Sequence, residues 1–326
     1  MNGARYSYLK RACDLVEKGR DIVVVSEDYA APMFDEFRQK HPSRFLSVGI
    51  AEQNGVAVAC GLALAGKYPI VYGCAPFPLT RAIDQLKSAV AGMRLPITVL
   101  NSGVGFGVPE FGATHFNMDD IAMVRGIPGM RIVTPTDNVM AEQLADFSLS
   151  AHEPLYVRFD KNSEGELYQA GEICFEKGFH AWSVLNRQTD IVLISCGSMV
   201  REVIALADKL ACRGTYAKVM DLYSLPFDEN SMLEEIGDLP VVSIEEHIPQ
   251  GGIGTAVLET LNTYRRENRL MRLGVRFMGG YPNVSGKREY FMEQFGLSTE
   301  QLENSIQNFF HQQEPARAKK QRDGER

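Results

Sequence analysis

Nothing in this sequence could cross a bilayer as a helix. Its longest run of small apolar residues, Val56 to Ala65, falls far short of the ~20 apolar residues a spanning helix needs. The start, Met1-Asn-Gly-Ala-Arg-Tyr-Ser-Tyr8, lacks the apolar core of a secretory signal, so a cytoplasmic protein is the expectation. Positive charge is not in excess: 34 Lys and Arg stand against 41 Asp and Glu, for a formal net charge of -7. No basic run interleaved with aromatics lies in the body of the chain, which argues against a nucleic-acid surface. The six cysteines (Cys13, Cys60, Cys74, Cys174, Cys196 and Cys212) include no Cys-x-x-Cys pair, and several lie inside apolar segments. They read as buried reduced thiols rather than a zinc site or a disulfide framework.

What the chain has is alternation. Short apolar runs at 21–26, 45–48, 69–72, 96–100, 131–134 and 155–159 read as strands, with helices expected over 5–18, 79–92 and 138–149. Continuous apolar strands separated by helices imply a parallel sheet covered on both faces, with ligand-binding loops at the carboxyl ends of its strands. The pattern lapses in a polar stretch and resumes at Asp190-Ile-Val-Leu-Ile-Ser-Cys-Gly197. The expected fold is α/β with two doubly wound domains, 1–165 and 179–310, joined by a linker over 166–178. Residues 311–326, charged and without apolar content, are expected to be disordered.

One helix stands out. In Ser47-Val-Gly-Ile-Ala-Glu-Gln-Asn-Gly-Val-Ala-Val-Ala-Cys-Gly-Leu-Ala-Leu-Ala-Gly66, a single acid, Glu52, heads a segment of small apolar residues. Gly55, Ala59 and Ala63 recur every four positions, which permits close approach of another backbone. A lone glutamate in a first turn is ordinarily a solvated residue favoured by the helix dipole. In a dry setting it could instead share a proton with a basic partner.

Four further stretches could carry chemistry. In Tyr72-Gly-Cys-Ala-Pro-Phe-Pro-Leu-Thr-Arg-Ala-Ile-Asp-Gln85, Phe77 could be core or an exposed ring. The stretch 101–115 ends in Gly112-Ala-Thr-His115; its Gly103-x-Gly105-x-Gly107 is no phosphate loop, because Pro109 intervenes and no helix follows at once. Arg158 ends a strand, where it could simply pair with a carboxylate. Ser243-Ile-Glu-Glu-His-Ile-Pro-Gln-Gly-Gly-Ile-Gly-Thr-Ala256 has too many residues between strand and glycine for a dinucleotide fingerprint, so Glu245, Glu246 and His247 are read as structural.

In this order the motifs Gly-Ile-Ala-Glu52-Gln-Asn, Phe77-x-x-x-Arg81-Ala82-x-Asp84-Gln85 and Gly112-Ala-Thr-His115, with Arg125-x-Ile-Pro-x-Met-x-Ile-x-Thr-Pro-Thr-Asp137, resemble the transketolase family of thiamine diphosphate enzymes over 5–310. The resemblance implies a pyrimidine-binding domain followed by the family's C-terminal domain. It implies that Glu52 is the catalytic acid that bonds the aminopyrimidine ring, that Phe77 (or Tyr72) stacks on that ring, and that His115 faces the substrate. By the same resemblance Arg158, Phe111 and Ser26 contact substrate, with Arg158 suited to a phosphate by its planar fork. Phe159-Asp160 follows Arg158 where the family has Gln. Phe111 stands where transketolases carry an aspartate, in Glu110-Phe-Gly-Ala-Thr-His115 against their Glu-Asp-Gly-Pro-Thr-His.

The family's Gly-Asp-Gly, which with a later Asn holds magnesium on the diphosphate, is absent; the nearest match is Gly237-Asp238-Leu239. The expectation is therefore an N-terminal, diphosphate-binding partner subunit that supplies the Mg2+ site, no metal ligand in this chain, and homodimerisation within a heterotetramer. The expected reaction moves a two-carbon ketol unit from a ketose to an aldehyde. Alternatives within the chemistry are a deoxyxylulose-phosphate-synthase-like carboligase and an oxo-acid dehydrogenase beta subunit. Outside it stand a non-catalytic assembly subunit and a dinucleotide-binding protein.

Overall fold

In a computed structural model of the chain, residues 3–27, 32–160, 165–183, 187–277, 280–281 and 284–311 are described. The first part supplies strands β1 (Ile22–Ser26), β2 (Phe45–Ser47), β3 (Tyr68–Cys74), β4 (Thr98–Ser102), β5 (Arg131–Val133) and β6 (Leu155–Phe159). All pair in parallel, in the order β5-β6-β4-β3-β1-β2. Successive strand residues point to opposite faces. Val24, Ile70, Leu100 and Val157 accordingly join one core, and Val25, Val71, Val99 and Tyr156 the other.

The first face is covered by α1 (Ala4–Glu17) and, beyond the short α2 (Asp35–Lys40), by α7 (Asn138–Ser150). Tyr8 Oη and Ser148 Oγ tie α1 to α7 at 3.0 Å. The second face is covered by α3 (Glu52–Leu64), α4 (Phe77–Thr80), α5 (Ile83–Gln85) with a π-helical turn at Leu86–Ala91, and α6 (Asp120–Arg125). The single helix expected over 79–92 is thus broken. It is interrupted at Arg81 and Ala82, and it widens where Ser88 Oγ bonds the Asp84 carbonyl at 2.6 Å and Gly92 N reaches back five residues to Lys87 O.

The second part supplies β7 (His180–Ser183), β8 (Ile191–Ser195), β9 (Ala217–Asp221), β10 (Ser224–Leu225), β11 (Val241–Glu245) and β12 (Leu270–Gly274). Its sheet has the order β12-β11-β8-β9-β7, parallel except for β7. Helices α8 (Met199–Cys212), α9 (Glu229–Ile236), α10 (Ile253–Thr263), α11 (Arg288–Gln294) and α12 (Thr299–His311) complete it. β10 leaves this sheet and pairs antiparallel with β5, so the second part supplies an edge strand of the first sheet. The tail expected from residue 311 lies outside the described residues, apart from His311 at the end of α12. Among the described residues no helix is long and apolar enough to cross a membrane.

The two sheets meet across polar contacts. Ile248 N donates to Met118 O at 2.7 Å, Phe106 N to Glu246 Oε2 at 3.0 Å, and Thr136 Oγ1 to Asp221 Oδ2 at 2.6 Å. Asp137 caps α7 through Met140 N at 2.7 Å, and its other oxygen accepts from Leu167 N and Tyr168 N.

Candidate active site

Glu52 opens α3 with 5% of its surface exposed. Its Oε1 accepts from Arg81 Nη1 at 2.5 Å, and Arg81 comes from the break after α4 that the sequence reading did not foresee. The Arg81 guanidinium also lies 4.0 Å over the Phe77 ring, one helical turn back. Phe77 meets His115 edge to face at 5.1 Å, and His115 lies 4.9 Å from Phe111. Glu52, Arg81, Phe77, His115 and Phe111 therefore form one contiguous row, four of them nominated from sequence.

The loop that carries His115 is shaped by glycine. Gly112 has φ +71 and a side chain there would meet the Val284 carbonyl at 3.2 Å, so the turn before Ala113-Thr-His115 needs its missing Cβ. Phe111 beside it is 61% exposed. Burial, together with the Arg81 charge, lowers the His115 pKa below its ordinary value, so the imidazole is neutral at pH 7. Thr114 Oγ1 lies 3.0 Å from its Nδ1.

The remaining nominated residues lie elsewhere. Tyr72 is buried against Phe34 at 4.7 Å in the sheet core, which leaves Phe77 as the ring beside Glu52. Ser26 is fully buried at the end of β1. Arg158 is enclosed as well: Nε and Nη2 donate to Asp120 at 2.7 and 3.0 Å, and Nη1 to Thr134 Oγ1 at 3.3 Å. Burial works against its charge, and Asp120 more than offsets that, raising its pKa. The glycine loop before α10 holds no room for a nucleotide phosphate, because Glu245 already accepts from Ile253 N and Gly254 N at 2.8 and 3.1 Å. A side chain on Gly252 would fall 2.1 Å from that carboxylate.

The sequence reading passed over Glu27. This residue follows β1 and is 1% exposed, and neither carboxyl oxygen has a hydrogen-bond partner among the described residues. Burial, and then the charge of Glu52, pushes its pKa up to about 9.

The residues suit the pyrimidine half of thiamine diphosphate: a buried carboxylate to bond a ring nitrogen, an aromatic face beside it, and a neutral imidazole at the edge. Ligands for a diphosphate-bound metal are another matter. Among the described residues, the one group of three side chains with metal-ligand spacing is Cys13, Glu17 and His41, on other elements.

Comparison with known proteins gives two family matches, "Transketolase, pyrimidine binding domain" over residues 5–165 and "Transketolase, C-terminal domain" over residues 180–302. One of the two subunits of the apulose-4-phosphate transketolase of Actinobacillus succinogenes is 31% identical over 299 residues, covering 90% of this chain and 94% of the relative. A 6-deoxy-6-sulfo-D-fructose transketolase subunit of Clostridium sp. is 30% identical over 310 residues, with 91% of each chain covered. A solved structure described as a split gene transketolase, inactive beta4 tetramer, superposes with a TM-score of 0.80 at 26% identity, covering 94% of this chain and 97% of that one.

Proposed function

The chain belongs to the transketolase family, and from that premise we propose that it is the pyrimidine-binding subunit of a split transketolase. With an N-terminal, diphosphate-binding partner subunit it transfers a two-carbon ketol unit from a ketose to an aldehyde. The observation that carries this reading is Glu52, buried at the head of α3 with Phe77 and His115 in one row beside it. Support for the partner comes from the two relatives, both named as subunits and both spanned almost end to end by this chain. The partner holds the diphosphate and its Mg2+, and two copies of each chain assemble as a heterotetramer in the cytoplasm.

Thiamine diphosphate, when bound, supplies the nucleophilic carbon that carries the transferred unit. This chain's own residues do the rest. Glu52 exchanges a proton with the pyrimidine ring from a dry position at a helix head, where the dipole favours its negative form. Phe77 holds the ring by stacking, worth roughly 0.5 to 1.5 kcal/mol beyond the area buried. His115, neutral at pH 7, offers one nitrogen as donor and one as acceptor to oxygens of the substrate.

The reading is tested first without the partner. The purified chain should show no appreciable heat of thiamine diphosphate binding with Mg2+ present, and mixing with the partner should restore both binding and ketol transfer. Tight binding by this chain alone would contradict the split arrangement.

Phe111 sets the second test, on the substrate. The two relatives are named for different sugars. An aromatic cannot accept a hydrogen bond, so an acceptor aldehyde that places its alpha-hydroxyl against Phe111 buries it unsatisfied, at roughly 1 to 3 kcal/mol. The enzyme is therefore expected to favour aldehydes that lack this hydroxyl, by about ten- to a hundred-fold in kcat/KM. Phe111→Asp should move the ratio for paired aldehydes toward the hydroxylated member. A wild type that already prefers that member, or a ratio that does not move, sinks the assignment.

A further inference from the structure

We propose that Glu27 is a positioning residue for Glu52: the two carboxyls share one proton, which Glu27 holds and passes to Glu52. This rests on the reading of Glu52 as the site's acid. Three observations place the residue. Glu27 is 1% exposed where β1 ends, and both of its oxygens are without a hydrogen-bond partner among the described residues. Its carboxyl occupies a cradle made by two glycines. A side chain on Gly55 would lie 2.9 Å from Glu27 Cγ and 3.0 Å from Oε1, and one on Gly73 would lie 2.8 Å from Oε2. Gly55 stands three residues after Glu52 on α3, so Glu52 and the cradle share a helix face. The small residue expected to admit another backbone admits a carboxyl instead.

A buried carboxylate with no donor to satisfy it takes up a proton. The elements around Glu27 give it no other choice. β3 presents Gly73, α4 presents Pro78 against the same glycine, and α3 presents Glu52, the one titratable group acting on Glu27 among the described residues. The cation nearby, Arg81, is paired with Glu52. At rest Glu27 is the acid and Glu52 the carboxylate. In the transfer the O–H bond at Glu27 breaks and one forms at Glu52, leaving the negative charge on Glu27. The pair holds one proton and one charge before and after, so Glu52 becomes an acid without drawing a proton from solvent.

The first arm of the experiment needs no activity. Because the folded value of Glu27 lies above its unfolded value of 4.5, the stability it contributes is fully present below about pH 4.5 and is lost as pH rises toward about 9. Chemical denaturation of the full chain between pH 5.5 and 8.5 should show an unfolding constant that rises about tenfold per pH unit more steeply in wild type than in Glu27→Gln. Other buried groups, such as Asp221 and Glu245, titrate in both proteins and cancel in the difference. Should Glu27→Gln not fold, Glu27→Met serves the same comparison.

The second arm uses the assembled enzyme. Glu27→Gln should lower kcat by ~10-fold with KM unchanged, less than the 10²- to 10⁴-fold of a direct proton donor, and Glu27→Asp should recover part of the loss. Parallel pH slopes, or an unchanged kcat, overturn the inference. Glu52→Gln run alongside separates the failures: if it too keeps full turnover, the catalytic reading of the site falls, while the slope comparison still decides Glu27.

Discussion

Replacing Glu52 by glutamine is expected to lower turnover of the assembled enzyme by ~10²- to 10⁴-fold, the usual worth of a positioned acid or base, while leaving folding and assembly intact. The amide is nearly isosteric, and its oxygen can still accept from Arg81 Nη1, which now sits 2.5 Å from Glu52 Oε1. Loss of the negative charge leaves Arg81 without its ion-pair partner, but the Arg81 side chain is 44% exposed, so water takes over much of that role at small cost. What the amide cannot do is exchange a proton. Circular dichroism and sedimentation would establish that the variant folds and joins its partner, and initial rates at saturating cofactor would give the loss. A variant that assembles and turns over like wild type returns Glu52 to the status of a helix-start residue.

The parts of the site that were legible in the sequence are those whose signal is local. Glu52 is marked by the small-residue helix it heads, and Phe77 and His115 by motifs a few residues long. Arg81 could have been placed from the same text: it lies four positions after Phe77, the spacing at which a cation reaches an aromatic ring on a helix. Glu27 could not. Its meaning comes from Gly55 on α3 and Gly73 on β3, which tertiary packing brings to the end of β1. Strands β7 and β10 were missed for a similar reason. β10 is two residues long and finds its partner β5 across the domain junction, and β7 is only partly buried, so neither shows the continuous apolar run that marked the central strands. Arg158 shows the limit of motif reasoning from the other side, since its partner Asp120 lies 38 residues earlier.

Asp120→Ala is expected to destabilise the chain by ~3 to 5 kcal/mol, because it strands the Arg158 guanidinium in the interior. Asp120 is fully buried and accepts from Arg158 Nε, Arg158 Nη2 and the Tyr156 hydroxyl, at 2.7, 3.0 and 3.1 Å. Tyr156 in turn accepts from Asn101, so the carboxylate ends a chain of buried polar groups. With it gone, Arg158 keeps Thr134 Oγ1 and the Cys196 thiol, neither of which balances a charge. The pair also bridges the two sheets, since Cys196 follows β8 and His247 Nε2 lies 3.9 Å from Asp120 Oδ1. Burial holds the His247 pKa down to about 4. Its neutral form therefore contributes stability above its ordinary value near 6.5, stability that is lost as pH falls through about 4. Denaturation is accordingly measured at pH 7.5, where His247 is neutral in both states. Removing both charges should be far milder than the sum of the single changes, because an ion pair taken out whole leaves no unbalanced charge behind. The double variant Asp120→Ala with Arg158→Met should thus show a coupling energy of at least ~1.5 kcal/mol in a mutant cycle. If the two effects simply add, Asp120 and Arg158 are not a buried pair, and Arg158 is free to serve the substrate as its place in the sequence first suggested.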